Sequence, residues 1–306
     1  MNVQEWALIA FTILAQMSVG SFWVLGIVHF YAMRKAGEEE ADRLSDRALL
    51  VIGPLLVLGL IASLFHLGDP FNAFRAVANL DSSWLSREIL SGVIFAILGG
   101  LFAIMQWRKI GSFATRNVIA LIAALVGLFL VLSMANVYML PTQPAWDTLA
   151  TPILFFTTTF LLGALAMGAA FAANYLYLKR RNDPHLEVQR NLIRGSLGGI
   201  TLAAVILLGV QLVTIPIFIA TLSGSGPAAQ ASVEMLVTDY VGAFSLYLVL
   251  SFLGAGVLGV VLLRDVLTGA PARTLAWMSY AVFGVVLVAQ VLGRYLFYAM
   301  QVPLGI

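Results

Sequence analysis

Eight apolar stretches, most of about 20 residues or longer, recur along the chain between short polar breaks, at approximately 6–33, 48–67, 87–107, 116–138, 151–178, 197–220, 241–263 and 275–300. Runs of that length match the hydrocarbon thickness of a bilayer when wound into a helix. A backbone crossing that layer finds no water, so its polar groups must be satisfied within helices or a closed barrel. These runs are too long and too evenly apolar for barrel strands. The expected fold is an all-α integral membrane protein, a bundle of eight transmembrane helices forming a single domain over 1–306. Composition agrees, with 61% hydrophobic and only 10% charged residues.

The charges that remain are placed unevenly. The connections from Arg34 to Arg47, Arg108 to Arg116, Lys179 to Arg194 and Arg264 to Arg273 carry fourteen of the 17 Lys and Arg. The alternate connections hold only Arg75 and Arg87, and Arg294 lies within the last span. The positive-inside rule therefore predicts both termini outside, with the His66–Glu88 connection on the same outer side. Met1 to Glu5 contains no Lys or Arg, and Arg34 and Lys35 follow the first run, which is expected to stay as a spanning helix and not to be cleaved as a signal peptide. A net charge of +2, with its basic residues at helix ends, gives no support to nucleic-acid binding.

Within this apolar sequence the stretch HLGDPFNAFRAVANLDSSWLSRE, His66 to Glu88, gathers one His, two Arg and one Glu at the mouths of two helices. Gly68 and Pro70 read as a helix stop after His66. Ser86 reads as the N-cap of the third span, which puts Arg87 and Glu88 in its first turn. Phe71, Phe74 and Trp84 give the connection the character of an interfacial segment. His66 can be a polar tip among headgroups, or a neutral imidazole that accepts a hydrogen bond and then a proton from a quinol hydroxyl. Glu88 has a structural reason to sit at a helix N-terminus, and Arg87 can snorkel to water.

An Arg inside a span costs roughly 2.5 to 3.5 kcal/mol at mid-membrane, so Arg294 is expected to face protein and to have a carboxylate or carbonyl partner, Glu88 or Asp69 before others. It lies ~10 to 15 Å from the outer end of its helix by helical rise, so His66, Arg75, Arg87, Glu88 and Arg294 can converge at one outer depth. Gln16 and Gln290 are further candidates for that cavity, or packing glue between helices. Asn136 and Tyr138 close the fourth span on the same side. Trp6, Trp23, Trp84 and Trp146 fit an aromatic belt, and Pro54 and Pro216 fit tolerated kinks. The segment Glu38 to Asp46 reads as a solvated inner loop, and Ser223 to Ser232 as a spacer.

The three His residues, His29, His66 and His185, fall at mismatched depths, which argues against a bis-His haem. With no Cys, the protein can hold no iron–sulfur cluster, Cys-zinc site or disulfide. No metal centre is expected, and electrons drawn here must leave to another subunit.

The run HLGDPFNAFRAVANLDSSWLSREILSG from His66 to Gly92, the Gln16 segment of the first span and the ending GRYLFYAM from Gly293 to Met300 resemble the membrane anchor of dimethyl sulfoxide reductase, the DmsC-type anchor. That resemblance implies a haem-free subunit of a bacterial or archaeal cytoplasmic (inner) membrane that oxidises menaquinol, with ubiquinol the alternative quinol. Its electrons would pass to an iron–sulfur subunit and on to a catalytic subunit with a molybdenum cofactor. It places the family's important His at His66 and carries a role to Glu88 more firmly than to Arg87. The residue reading adds Arg75, Arg87, Arg294 and Gln16 as quinol-binding candidates. Similar anchors occur in sulfite-oxidising complexes, where electrons run into quinone. A reading from another class, a small-solute transporter, needs polar residues at the midplane and matched broken helices in the two halves.

Overall fold

The computed structural model describes residues 3–64 and 79–304, and these are almost entirely helical. In chain order the helices are α1 Val3–Ala36, α2 Glu38–Leu64, α3 Trp84–Arg108, α4 Phe113–Tyr138, α5 Ala150–Arg181 and α6 Leu186–Ser223. There follow α7 Pro227–Val237, α8 Val241–Ser251, a π-helical turn Phe252–Leu258, α9 Gly259–Thr268 and α10 Ala272–Ala299. Taking α8, the π turn and α9 as one continuous rod, eight helices among the described residues are long and apolar enough to cross a membrane, and α7 is a short additional element.

Helix ends follow local chemistry, and in places depart from the sequence expectation. Ser83, not Ser86, caps α3: its hydroxyl accepts a hydrogen bond from the Ser86 N–H at 3.3 Å. The helix therefore starts at Trp84, and Glu88 sits in its second turn, beyond the strongest part of the terminal dipole. The segment Glu38 to Asp46 is not a solvated loop. Gly37, at φ 88, turns the chain in a single residue, and α2 begins at Glu38 and buries Ala41, Leu44 and Ser45. Much of the expected spacer Ser223 to Ser232 is likewise helical, because Pro227 can open α7 at a position whose N–H would be unpaired anyway. The apolar-run criterion sees only the part of a helix that lies in lipid, which is why α2 and α6 extend beyond the expected spans.

Lipid tails are as apolar as the helices, so the bundle cannot be held by hydrophobicity alone and depends on close backbone approach and polar contacts. The best windows of α1 and α5 are 72% and 67% buried, against 33% for α3 and α6, so α1 and α5 form the central pair. Their crossing is built on glycine: a Cβ on Gly20 would overlap the Thr159 carbonyl oxygen, and one on Gly163 would overlap the backbone of Gly20 and Ser21. Around the crossing, α1 sends the Ser18 hydroxyl to the Ile52 carbonyl at 3.3 Å and the Ser21 hydroxyl to the Gly163 carbonyl at 3.5 Å. A second apolar core forms between α5, α6, α7, α8 and α10, around Phe218, Leu236, Tyr247 and Leu296.

One end of the bundle is closed by charge. Buried Arg116 on α4 donates to Asp42 at 2.8 Å and to the side-chain Oε1 of Gln106 at 3.0 Å. Gln106 donates in turn to Asp42 at 2.8 Å and Asp46 at 2.9 Å, and Lys109 bridges the same two carboxylates at 3.1 and 3.0 Å. His185 pairs with Glu40, which also accepts from Gln189. These contacts tie α2 to α3, α4 and α6.

The glycine crossing gives a direct test. Gly163→Leu is expected to destabilise the protein by about 3 kcal/mol or more, because the only relief is to separate α1 from α5. Gly99→Leu, where nothing lies within 4 Å of an added Cβ, should be near neutral. Thermal unfolding followed by size-exclusion chromatography in detergent reads both.

Candidate functional site

Helix α10 carries Gln290, Arg294, Phe297 and Tyr298 at a spacing that puts them on one inward stripe. Helix α1 turns Thr12 and Gln16, one helical turn apart, toward it. Arg294 is only 5% exposed. Its Nη2 donates to Gln16 Oε1 at 2.8 Å, while its guanidinium carbon sits 3.7 Å from the centroid of Phe155 and 5.5 Å from that of Phe297. The planar cation is thus held by one amide oxygen and the electron-rich faces of two rings. Gln16 Nε2 donates to the Phe155 carbonyl at 3.4 Å, which fixes the amide with its oxygen toward the Arg.

Of the two kinds of partner expected, a carbonyl oxygen, that of the Gln16 amide, is the one found, and not the Glu88 carboxylate. Arg294 and Glu88 are not within ion-pairing distance, and Asp69 lies outside the described residues. Glu88 is nevertheless brought to the same end: it is buried on α3, and both it and Arg294 are electrostatic neighbours of Tyr138 and Tyr298. Those two phenols share a hydrogen bond of 2.9 Å across α4 and α10. Trp146 is not a belt residue but part of the wall, donating to the Phe297 carbonyl at 2.7 Å and meeting Tyr138 edge-on at 5.3 Å. Trp23 is likewise engaged, donating to the Ala124 carbonyl at 2.8 Å.

Arg294 also lines a small cavity of about 80 Å³ between α5, α6, α8 and α10, with Thr158, Tyr247 and Gln290 among its polar walls. From there a buried chain of amides and hydroxyls runs inward. Thr158 donates to Gln290 at 2.9 Å, Gln290 to Gln211 at 2.9 Å, and Gln211 to the Ser251 hydroxyl at 3.1 Å, where the π turn begins. Single-turn π distortions concentrate at functional sites; here the neighbouring Gly254 lets α10 approach until an added Cβ would meet Val286 at 2.6 Å.

Of the sequence candidates, Gln16, Glu88 and Arg294 are gathered at one end. Arg87 is not turned into the cluster: it donates to the carbonyls of Leu80 and Asp81, each at 2.8 Å, and stacks over Trp84 at 4.3 Å, bracing the start of α3. Asn136 donates to its own helix at Leu132. His66 and Arg75, with Gly68, Pro70, Phe71 and Phe74, lie outside the described residues. The sequence reading missed Phe155, Tyr247, Phe297 and Tyr298. The motif around Arg294 named the stripe, but an aromatic ring on a membrane helix carries no mark of the cation above it.

The family model described as DMSO reductase anchor subunit (DmsC) matches residues 1–300. The chain belongs to that family. It is a multi-pass membrane protein of the anchor type, and the anchor is similar over part of its length to several characterised proteins. It is 34% identical over 170 residues to YnfH, an anaerobic dimethyl sulfoxide reductase chain of Escherichia coli (strain K12), 55% of this chain and 58% of that one. It is 34% identical over 162 residues to another anaerobic dimethyl sulfoxide reductase chain of the same organism, 53% of this chain and 55% of the relative. A shorter match, 34% over 101 residues, links it to a sulfite dehydrogenase subunit of Allochromatium vinosum, covering 33% of this chain and 31% of the relative. The matched regions thus span little more than half the length of the first two relatives. Among solved structures, the bd oxidase from Geobacillus thermodenitrificans superposes with a TM-score of 0.66 at 12% identity, over 97% of this chain and 85% of that one, a likeness of fold alone.

Removing the guanidinium isolates its contribution to this cluster. Arg294→Ala leaves the buried Gln16 oxygen without its donor and is expected to lower stability by about 1 to 3 kcal/mol. Tyr138→Phe removes one neutral hydrogen bond and should cost about 1 kcal/mol. Thermal melting of the two variants side by side checks the order.

Proposed function

We propose that the anchor oxidises a membrane quinol, menaquinol in the leading reading, at the end of the bundle where Arg294, Gln16, Glu88 and Tyr138 converge, and that its electrons pass to an iron–sulfur partner subunit serving a molybdenum catalytic subunit. The observation that carries this reading is the family membership joined to a buried cation and a buried carboxylate at one end of the bundle, the end from which α3 starts. The positive-inside rule makes that end the outer one, with both termini outside.

In this reading the headgroup lies beneath the His66–Glu88 connection and its isoprenoid tail remains among lipid-facing helices. Oxidation of a quinol to a quinone releases two protons and two electrons. His66 takes the two protons from the quinol hydroxyls one after the other, and Glu88, buried on α3, passes each toward the outer surface. Arg294 supplies a fixed positive charge, and Gln16 holds that charge at a set depth. Arg87 braces the start of α3, and Arg75 is a further candidate to hold the headgroup. The electrons leave to the partner, because a protein without Cys carries no cluster of its own. The match to a sulfite dehydrogenase subunit supports a second reading, in which the same groups return protons to a quinone and electrons run in reverse.

In a complex that assembles normally, His66→Ala and Glu88→Gln are each expected to lower quinol-dependent turnover by ~100-fold or more, the scale of a lost proton-transfer group, while turnover with an artificial electron donor stays intact. Normal quinol turnover in a fully assembled His66→Ala complex removes the reading. Orientation has its own test, since a protein with no Cys accepts single reporters without background. Ser225→Cys should react with an impermeant maleimide in intact cells, and Ser112→Cys only after permeabilisation. The reverse pattern inverts the topology.

A further inference from the structure

A second and larger cavity, of about 380 Å³, lies near the opposite end of α1, between α1, α3 and α4 and beside the start of α2. About 13 residues of helix separate Gln16 from its polar wall at His29, ~20 Å by helical rise, so it belongs to no part of the cluster around Arg294. Its size is that of a pocket for a small organic molecule. Phe22, Trp23 and Phe102 form aromatic walls, Ala120 and Ala124 leave the room, and the mouth opens sideways past Ile27, Phe30 and Leu121. Those three are 62%, 51% and 55% exposed on a lipid-facing surface, so an occupant arrives from the bilayer and not from water.

The wall carries three polar side chains, His29, Ser45 and Asn117. His29 is anchored twice: Nδ1 shares a hydrogen bond of 2.8 Å with the Ser45 hydroxyl, and the ring stacks on Phe113 at 5.3 Å. Its Nε2 is buried and has no hydrogen-bond partner among the described residues. Such a nitrogen in a membrane interior is costly to leave unmet, and the side chain that carries it lines the cavity. The Ser45 hydroxyl can donate or accept, so the imidazole can present Nε2 either as a donor to a carbonyl or as an acceptor to a hydroxyl. Of the nearby cations, Arg116 and Lys109 are bound to Asp42 and Asp46, and Arg34 lies over the exposed ring of Phe30 at 4.6 Å, outside the cavity wall, so among the described residues no cation lines the cavity itself to hold a phosphate headgroup. The walls therefore suit a flat, neutral ring with a carbonyl or hydroxyl and an apolar tail.

We propose that this cavity is a second binding site for the ring of an isoprenoid quinone or quinol, held at His29 on the side of the bundle opposite the Arg294 cluster. The ring lies among Phe22, Trp23 and Phe102, one ring oxygen bonds to His29 Nε2, and the tail leaves past Phe30 and Leu121. The site holds the molecule, and no electron transfer is assigned to it. The occupant is argued from these walls alone, so the proposal stands or falls apart from the outer reading.

The test is photolabelling of the intact complex in lipid nanodiscs with an azido-quinone bearing an isoprenoid tail, mapped by mass spectrometry of peptides. Labelling is expected on residues 22–33 of α1 and 117–124 of α4, displaced by excess unlabelled quinone but not by excess phosphatidylethanolamine. His29→Phe should weaken labelling there roughly tenfold, the effect of one lost buried hydrogen bond, and Ala120→Trp, which fills the cavity, should abolish it. Peptides of the outer end, read in the same digest, report the outer site separately. No labelling at α1 and α4, or labelling that phosphatidylethanolamine displaces equally well, overturns the proposal. So does labelling that persists in both variants at wild-type melting temperature. The competition arm uses wild-type protein and needs no variant to fold.

Discussion

A guanidinium within a membrane-spanning helix persists only where protein replaces its water, and the way Arg294 is housed organises one whole end of the bundle. Its amide partner comes from α1, its nearest ring from α5 and its second ring from its own helix. Because Gln16 is fixed by the Phe155 carbonyl, and Phe155 is itself the ring beneath the cation, α1, α5 and α10 meet at one residue. The close crossing at Gly20 and Gly163, about one turn further along α1, makes that meeting possible, since two helices held apart by a larger side chain could not share a ring and an amide at this depth. Packing and electrostatics here are one arrangement.

A carboxylate partner would have neutralised the Arg. Among the described residues an amide and two aromatic faces stabilise it while leaving its charge in place, and a retained positive charge near Glu88, Tyr138 and Tyr298 suits the proposed quinol site. The contrast with the other end is informative. There, Arg116 and Lys109 are matched directly to Asp42 and Asp46, a closed set of pairs whose evident work is to tie α2, α3 and α4 together. Two ends of the same helices thus use the same residue types differently, and the proposed quinol chemistry falls at the end where cation and carboxylate are kept apart.

Much of the fold was legible because lipid imposes a length. The eight runs, their order and the unusual position of Arg294 follow from composition along the sequence. What was not legible lies where that rule is silent. Ser83 and Ser86 are both adequate caps, and only the path of the preceding turn, braced by Arg87 on the Leu80 and Asp81 carbonyls, selects Ser83. The acidic start of α2 looks solvated because its neutralising residues, Lys109 and Arg116, arrive from a distant part of the sequence. Phe155 and Phe297 are indistinguishable in sequence from any lipid-facing aromatic. The expectation of an Arg–Glu pair was sound on charge alone, but charge does not say which helix faces which, and α1 brings Gln16 to the place where α3 would have had to bring Glu88.

The polar chain through Gln290, Gln211 and Ser251 bears on the transporter alternative, which needs polar groups at the midplane. These groups are polar and deep, yet Gln290 and Gln211 bond to one another and their remaining amide atoms are met by Thr158 and Ser251. A transport pathway must leave its polar groups free to coordinate a passing solute. A network whose members satisfy each other serves instead to lock α5, α6, α8 and α10 in register. The π turn after Ser251 then has a structural explanation: it accommodates the close approach of Gly254 to Val286 and so keeps Tyr247, one turn before it, seated against Gly293 at the cavity beside Arg294. The midplane network thus fixes the walls of the outer cluster from below, as the glycine crossing fixes them from the side.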